Sequence, residues 1–307
     1  MTEHLAEFIA AHRGTLEAAL NRWLPLSEIT GAERLNAALR YAVFPGGKRL
    51  RPMLTLIGAK LVAGEVSKAL PAACAIEFLH TSSLILDDLP AMDDADLRRG
   101  RAAAHLVFGE SLALLAALAL FNQAYALLAR AASQDGLAGK LIAEAARCIG
   151  ADGMIGGQAV DLELRGWNSV SEASASRNLK TTALMRLTMT AGAIASGAGQ
   201  ADVTALARFG ERLGLAYQVC DDLMDEFGDS GLTGKTARQD ARHLRPTFLT
   251  ELGLEGAHRL AATLAEEGKA AITGRFGHRR EARLLIDAVD LVIRDVGKPE
   301  LVGQAAF

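Results

Sequence analysis

A chain of 307 residues can form one large domain or two ordinary ones, and a composition 50% hydrophobic and 22% charged excludes a disordered chain. The formal net charge of −3 argues against general nucleic-acid binding, which brings a strong basic excess. Alanine and leucine are abundant while tyrosine and tryptophan number only three and two, so helix is favoured over sheet.

The N-terminal stretch MTEHLAEFIAAHRG carries Glu3, His4 and Glu7 and lacks the basic-then-apolar order of a signal peptide. Helices are predicted over 2–22, 31–44 and 50–64. The third is preceded by GGKRLRP (Gly46–Pro52), which sets Lys48, Arg49 and Arg51 beside two glycines. A fourth helix, 71–88, runs into DDLPAMDD (Asp87–Asp94) and then LRRG (Leu97–Gly100). The helix expected over 103–132 contains LALLAALALF (Leu112–Phe121), a run of ten apolar residues. A membrane span needs about 20, so this segment reads as a buried core helix. Helices over 136–150, 151–165 and 172–197 follow, the last carrying Lys180 and Thr181. The next, 201–227, ends in DDLMDE (Asp221–Glu226), and helices over 240–252, 256–270 and 279–295 complete the chain.

No proline separates Pro90 from Pro246, and no strand-like alternation occurs. One all-α domain spanning 1–307 is the economical reading. Cys74, Cys148 and Cys220 form no CxxC pair, which is the pattern of a reduced chain with buried thiols. A soluble, cytoplasmic protein is expected.

The two acidic clusters need a physical reason. Gln218, Asp221, Asp222 and Asp225 fall at i, i+3, i+4 and i+7, one face of a helix in apolar surroundings. Like charges at i, i+4 cost about 0.2–0.5 kcal/mol per pair even at a surface, so three aspartates on one face call for a cation. His80, Ser83 and Asp87 likewise share a face of the helix that runs into Asp88 and Asp93. A single acidic helix end reads equally as a solvated surface, but two, each ending an apolar helix, read as a site. Oxygen ligands select hard cations, and Mg²⁺ usually takes one or two carboxylates plus substrate phosphates. Cations for such phosphates stand nearby in sequence: Lys48, Arg51, Arg98, Arg99, Lys180 and Lys235. TGKT at Thr233 is not a nucleotide-binding loop, because Asp229 stands where its first glycine would be and no strand precedes it.

In this order, GGKRLRP, FLHTSSLILDDLPAMDDADLRRG, GGQAVDL (Gly156–Leu162), Lys180–Thr181 and YQVCDDLMDEFGD resemble the trans-polyprenyl diphosphate synthases over nearly the whole chain. The first aspartate-rich motif of that family is met by Asp87, Asp88 and Asp93, the second by Asp221, Asp222 and Asp225. Class I terpene cyclases share the fold but carry an Asn/Ser/Glu motif in second place, absent from this sequence. The resemblance implies an isoprenoid-synthase-type bundle of helices around a central deep cavity, usually a homodimer, with isoprenyl diphosphates as substrates. It implies three Mg²⁺ ions bridging Asp87, Asp93 and Asp221 to an allylic diphosphate, the other motif aspartates completing the metal set. Arg98, Lys180, Thr181, Gln218, Lys235 and Arg245 would hold that diphosphate, and Lys48, Arg51, His80 and Arg99 isopentenyl diphosphate.

Two segments depart from the family pattern. RAAAH (Arg101–His105) replaces an x-Pro-Thr-x-His stretch, so the loop after the first motif is expected to be looser, and LRPTF brings Arg245 where lysine is usual. Neither removes a metal ligand. The rival readings are a non-catalytic subunit of such a synthase and a cation-binding helical protein without chemistry.

Chain length in this family follows the bulk of side chains below the first motif. Ser82 and Ser83 are the fifth and fourth residues before Asp87. At about 1.5 Å of rise per residue, Ser82 lies roughly a turn and a half from the metal ligands. An aromatic there would floor a pocket for a C15 product, whereas serine leaves it open, so growth to the C20 geranylgeranyl diphosphate is expected over C15. Ser82→Phe is accordingly expected to shorten the main product, read by chromatography of labelled prenyl diphosphates.

Overall fold

A computed structural model of the chain describes residues 3–44, 47–132, 136–163, 179–227 and 247–294. The first four helices are α1 (Glu3–Trp23), α2 (Glu33–Val43), α3 (Leu50–Leu61) and α4 (Val66–Asp87). After a hairpin of β1 (Leu97–Arg98) and β2 (Arg101–Ala102) come α5 (Ala104–Phe108), α6 (Glu110–Ala131), α7 (Leu137–Ile149) and α8 (Met154–Glu163). The last four are α9 (Leu179–Ala195), α10 (Gln200–Phe227), α11 (Phe248–Phe276) and α12 (Arg280–Arg294).

Helix α4 is the central element because it is apolar on every side. Ala72, Ala73, Cys74, Ala75, Ile76, Phe78 and Leu79 are all fully buried. It packs against α6, α3, α9 and α1, and α9 in turn lies against α3, α7, α8 and α10. Thr55 of α3 donates its hydroxyl to the Thr188 carbonyl of α9 at 2.8 Å, a polar contact that the close approach of the two helices permits. The three cysteines are free and buried, and burial, reinforced by Glu144, pushes the Cys148 thiol up to about 12.

The helices follow the expected pattern with three differences. Helix α4 begins at Val66 rather than 71 and takes in Pro71 inside the helix, where the ring leaves the Ser67 carbonyl without an i+4 N–H donor. The helix expected over 103–132 is two, broken at Gly109, whose φ of 87° lets the chain end α5 and start α6 at once. Non-helical Gly253 (φ 68°) interrupts α11 where the sequence predicts a break between 252 and 256, and the expected helix over 240–252 lies partly outside the described residues. A short antiparallel hairpin also appears where no strand was expected, with Leu97 opposite Ala102 and Arg98 opposite Arg101.

That hairpin turns through Arg99 (φ 54°) and Gly100 (φ 73°), both left-handed, as a two-residue turn matched to strand twist requires. It is pinned rather than loose. Tyr41 donates to the Ala102 carbonyl at 2.8 Å, and the Arg101 guanidinium lies 3.8 Å from the Tyr41 ring centroid. Of the alanines that replace Pro-Thr, Ala102 is half-buried and Ala103 buried, followed by buried Ala104 and His105, so the segment packs against the bundle instead of loosening it.

Both α4 and α6 are long and apolar enough to cross a membrane by length and composition alone. Helix α4 is mostly buried inside the bundle. Helix α6 corrects the expectation of a wholly buried segment: one side packs on α4, while Leu114, Leu115 and Leu118 are 42–52% exposed. Its run of leucines goes round the helix rather than along one stripe, so a single neighbour cannot cover it.

Candidate active site

Helix α4 carries the first acidic motif to the end of the core. Asp87, its last residue, is buried, and the following loop folds back so that the Asp93 N–H donates to the Asp87 carbonyl at 2.9 Å. The interval of five between Asp88 and Asp93 therefore returns the chain to its starting point. Burial pushes the Asp87 carboxyl above the usual carboxylate range; Lys180 restrains the rise and neighbouring Asp93 adds to it.

Lys180, in the first turn of α9, places its Nζ 3.0 Å from Asp87 Oδ2. The next residue reaches the other cluster: Thr181 Oγ1 donates to Gln218 Oε1 at 3.0 Å, and Gln218 Nε2 donates to Asp222 Oδ1 at 2.8 Å. Consecutive residues of α9 thus join the two acidic motifs, one on α4 and one on α10. Asp221 is half-buried beside Asp222. The backbone of Asp225 continues α10, while Lys235 and Arg245 lie outside the described residues.

Not every aspartate is oriented for a metal. Asp88 is 2% exposed and is gripped by Arg98, whose Nε and Nη2 both reach it. Burial works against the Arg98 charge, but Asp88 outweighs it and holds Arg98 above its ordinary value. Asp222 uses one oxygen for Gln218 and the other for the backbone N–H of Phe248, at 2.9 Å, at the start of α11. A carboxylate is favoured there because it meets an otherwise unpaired N–H and the positive end of the helix. Thr247 and Thr250 complete that terminus by capping each other's backbone N–H groups. Asp87, Asp93 and Asp221 remain as the metal-facing candidates among the described carboxylates.

Among the described residues no three acidic, cysteine or histidine side chains converge as a ready-made ion cage. The donor chemistry still suits Mg²⁺, which takes few protein carboxylates and completes its shell with water and substrate phosphate.

The second group of cations gathers around the first turn of α3 and the hairpin. Arg99 packs against Gly47, where an added Cβ would lie 3.7 Å from its Nε. Arg51 stacks over Tyr217, 5.7 Å from the ring centroid, next to Gln218. Arg51 Nε is buried with no hydrogen-bond partner among the described residues, an unmet donor suited to an anion. His80, on α4, and Lys48, just before α3, are both half-buried.

Ser82 is 1% exposed and donates its hydroxyl to the Ala117 carbonyl of α6 at 2.9 Å. It does not stand open, as expected, but lies in the α4–α6 seam, so an aromatic at 82 also has to displace α6. Ser83 is half-buried and turns its hydroxyl back to the His80 carbonyl at 2.9 Å. A pocket of about 710 Å³ bounded by Glu17, Tyr41, Phe44 and Phe108 shares no residue with the acidic site.

Three residues escaped the sequence reading. Gln158 of α8 donates to Met92 Sδ at 3.5 Å, touching the loop of the first motif. Gly157 brings α8 against α9: a Cβ there would lie 2.4 Å from the Lys180 backbone nitrogen. Their signal was GGQAVDL itself, a glycine pair in an otherwise ordinary helix. Glu77 is a carboxylate in the middle of the apolar sequence ACAIEFLH and is 2% exposed.

The polyprenyl synthetase family matches residues 32–273, and the chain belongs to that family. It is 39% identical over 266 residues to the chloroplastic geranylgeranyl pyrophosphate synthase of Capsicum annuum, covering 85% of this chain and 72% of the relative. It is 34% identical over 273 residues to the geranylgeranyl diphosphate synthase of Cyanophora paradoxa, covering 88% of this chain and 90% of that one. Among solved structures, a FPP/GFPP synthase from Zymomonas mobilis superposes with a TM-score of 0.83 at 31% identity, over 95% of this chain and all of the other.

Because Gly157 sets the approach of α8 to Lys180, Gly157→Ala is expected to move Lys180 away from Asp87. Prenyl transfer should fall by about tenfold to a hundredfold in kcat/KM, with the far-UV circular dichroism spectrum unchanged.

Proposed function

We propose that this prenyltransferase condenses isopentenyl diphosphate with dimethylallyl, geranyl and farnesyl diphosphates, head to tail, to give geranylgeranyl diphosphate and pyrophosphate. The observation that carries the reading is the joining of the two acidic motifs through Lys180 and Thr181. The C20 product is supported by the relatives named geranylgeranyl synthases.

Asp87, Asp93 and Asp221, with Asp225, would hold Mg²⁺, whose role when bound is to act as a Lewis acid that neutralises the leaving pyrophosphate. Lys180, Thr181, Gln218 and Arg98 hold the allylic diphosphate, joined by Lys235 and Arg245 from outside the described residues. Lys180 exchanges its carboxylate partner for phosphate as substrate enters, so its charge is already in place when the C–O bond breaks. Lys48, Arg51, His80 and Arg99 hold isopentenyl diphosphate with its double bond toward the allylic carbon. The π electrons form the new C–C bond, a proton leaves to the departing pyrophosphate, and the chain is five carbons longer. No side-chain nucleophile is needed; the apolar helices keep water from the allylic cation.

The working form on this reading is a homodimer in the cytoplasm. The exposed Leu114, Leu115 and Leu118 of α6, next to Leu106 and Val107 of α5, form an apolar face that a second copy would cover.

Purified alone and supplied with labelled isopentenyl and farnesyl diphosphates, the protein is expected to yield mainly C20 product, and EDTA should abolish turnover. Accumulation of C15 from shorter primers, with no farnesyl elongation, would overturn the product assignment; no turnover at all would favour the non-catalytic subunit. In analytical ultracentrifugation the wild type should sediment as a dimer and Leu115→Glu/Leu118→Glu as a monomer.

A further inference from the structure

Arg49 carries none of the substrate roles assigned above, yet its guanidinium is the most heavily engaged cation near them. It is 2% exposed, and its backbone is left-handed at φ 56°, a conformation a non-glycine residue holds only when its surroundings impose it. Nε donates to Glu17 Oε1 at 2.9 Å, Nη2 to Glu17 Oε2 at 3.2 Å and to the Val43 carbonyl at 2.8 Å, and Nη1 to Glu77 Oε1 at 2.5 Å. The same Glu77 oxygen lies 3.7 Å from Arg99 Nη2. One buried carboxylate is therefore shared by two arginines from separate segments, the loop before α3 and the turn of the hairpin. Glu77 also stands three residues before His80, on the same face of α4.

The electrostatics explain why a carboxylate belongs there. Burial holds Arg99 below its ordinary value; Glu77 opposes this, while Arg49, Arg98 and Arg51 push it lower still. A pocket crowded with arginines to receive a diphosphate repels itself when empty, and Glu77 counters that repulsion from behind. For Arg49 the balance goes the other way: burial lowers it, but Glu77 and Glu17 raise it above its usual value. Arg49 thus stays charged as the clamp, and Arg99 remains the more weakly held member, able to turn to phosphate.

We propose that Glu77, fixed by Arg49, which Glu17 clamps in turn, is a positioning residue that aims Arg99 at the isopentenyl diphosphate, separately from the Lys180–Thr181–Gln218 chain that serves the allylic substrate. This rests on the function proposed above. Glu77→Gln is expected to raise the KM for isopentenyl diphosphate about tenfold, leaving the KM for the allylic diphosphate within about twofold. In an Arg99→Gln background the same substitution should add no further rise, because its effect runs through Arg99. Glu17→Gln, at the half-exposed rim, spares Glu77 and should raise the isopentenyl KM about threefold; it supplies the test if Glu77→Gln does not fold. Equal rises in both KM values, or full additivity with Arg99→Gln, would reduce Glu77 to a structural brace and overturn the proposal alone. Wild-type protein that neither turns over nor binds isopentenyl diphosphate in calorimetry would overturn the function and this proposal together.

Discussion

The contact between Lys180 and Asp87, made where α9 meets the end of α4, is the interaction on which the site depends. A buried carboxylate is tolerable only with a partner, and four deeply placed acids among the described residues have one. Asp87 has Lys180, Asp88 has Arg98, Glu77 has Arg49, and Asp222 has Gln218 and the α11 terminus. A metal–diphosphate ligand carries both signs of charge. It can replace such pairs without leaving any charge alone, which is why a neutralised array is a suitable resting state for this chemistry.

The apolar core makes that array durable. Helix α4 is surrounded by other helices and acts as a ruler along which Glu77, His80 and Asp87 are set out. At about 1.5 Å of rise per residue, Glu77 and Asp87 stand roughly 15 Å apart. On the function proposed above, one diphosphate is met near the middle of the helix and the other at its end, with a rigid spacing between them. The glycine approach of α8 to α9 then fixes Lys180 from the far side.

Much of this was legible in the order of residues. The spacing of Asp87, Asp88 and Asp93, the i, i+3, i+4 set at Gln218–Asp222 and the basic segments GGKR and LRRG all carried their chemistry in short intervals, and so did most of the helices. The hairpin was not legible, because two-residue strands leave no alternation to read. Nor was the firmness of the RAAAH segment, which comes from Tyr41 and the burial of Ala103 and Ala104. Ser82 was read as open because α6, which closes on it, is distant in sequence.

The sequence alone determined which segments are helical, which carboxylates and cations are available, and the family to which the pattern belongs, since these rest on periodicity and on chemistry within a turn or two of helix. Only the tertiary structure decided the division of labour among like residues. Asp87 and Asp88 are adjacent and chemically identical, yet one meets Lys180 and the other is enclosed by Arg98. Arg49 and Arg51 stand two residues apart, yet one clamps buried Glu77 and half-buried Glu17 while the other keeps an unmet donor. Burial and the partner a distant helix brings are properties of packing, and no local pattern encodes them.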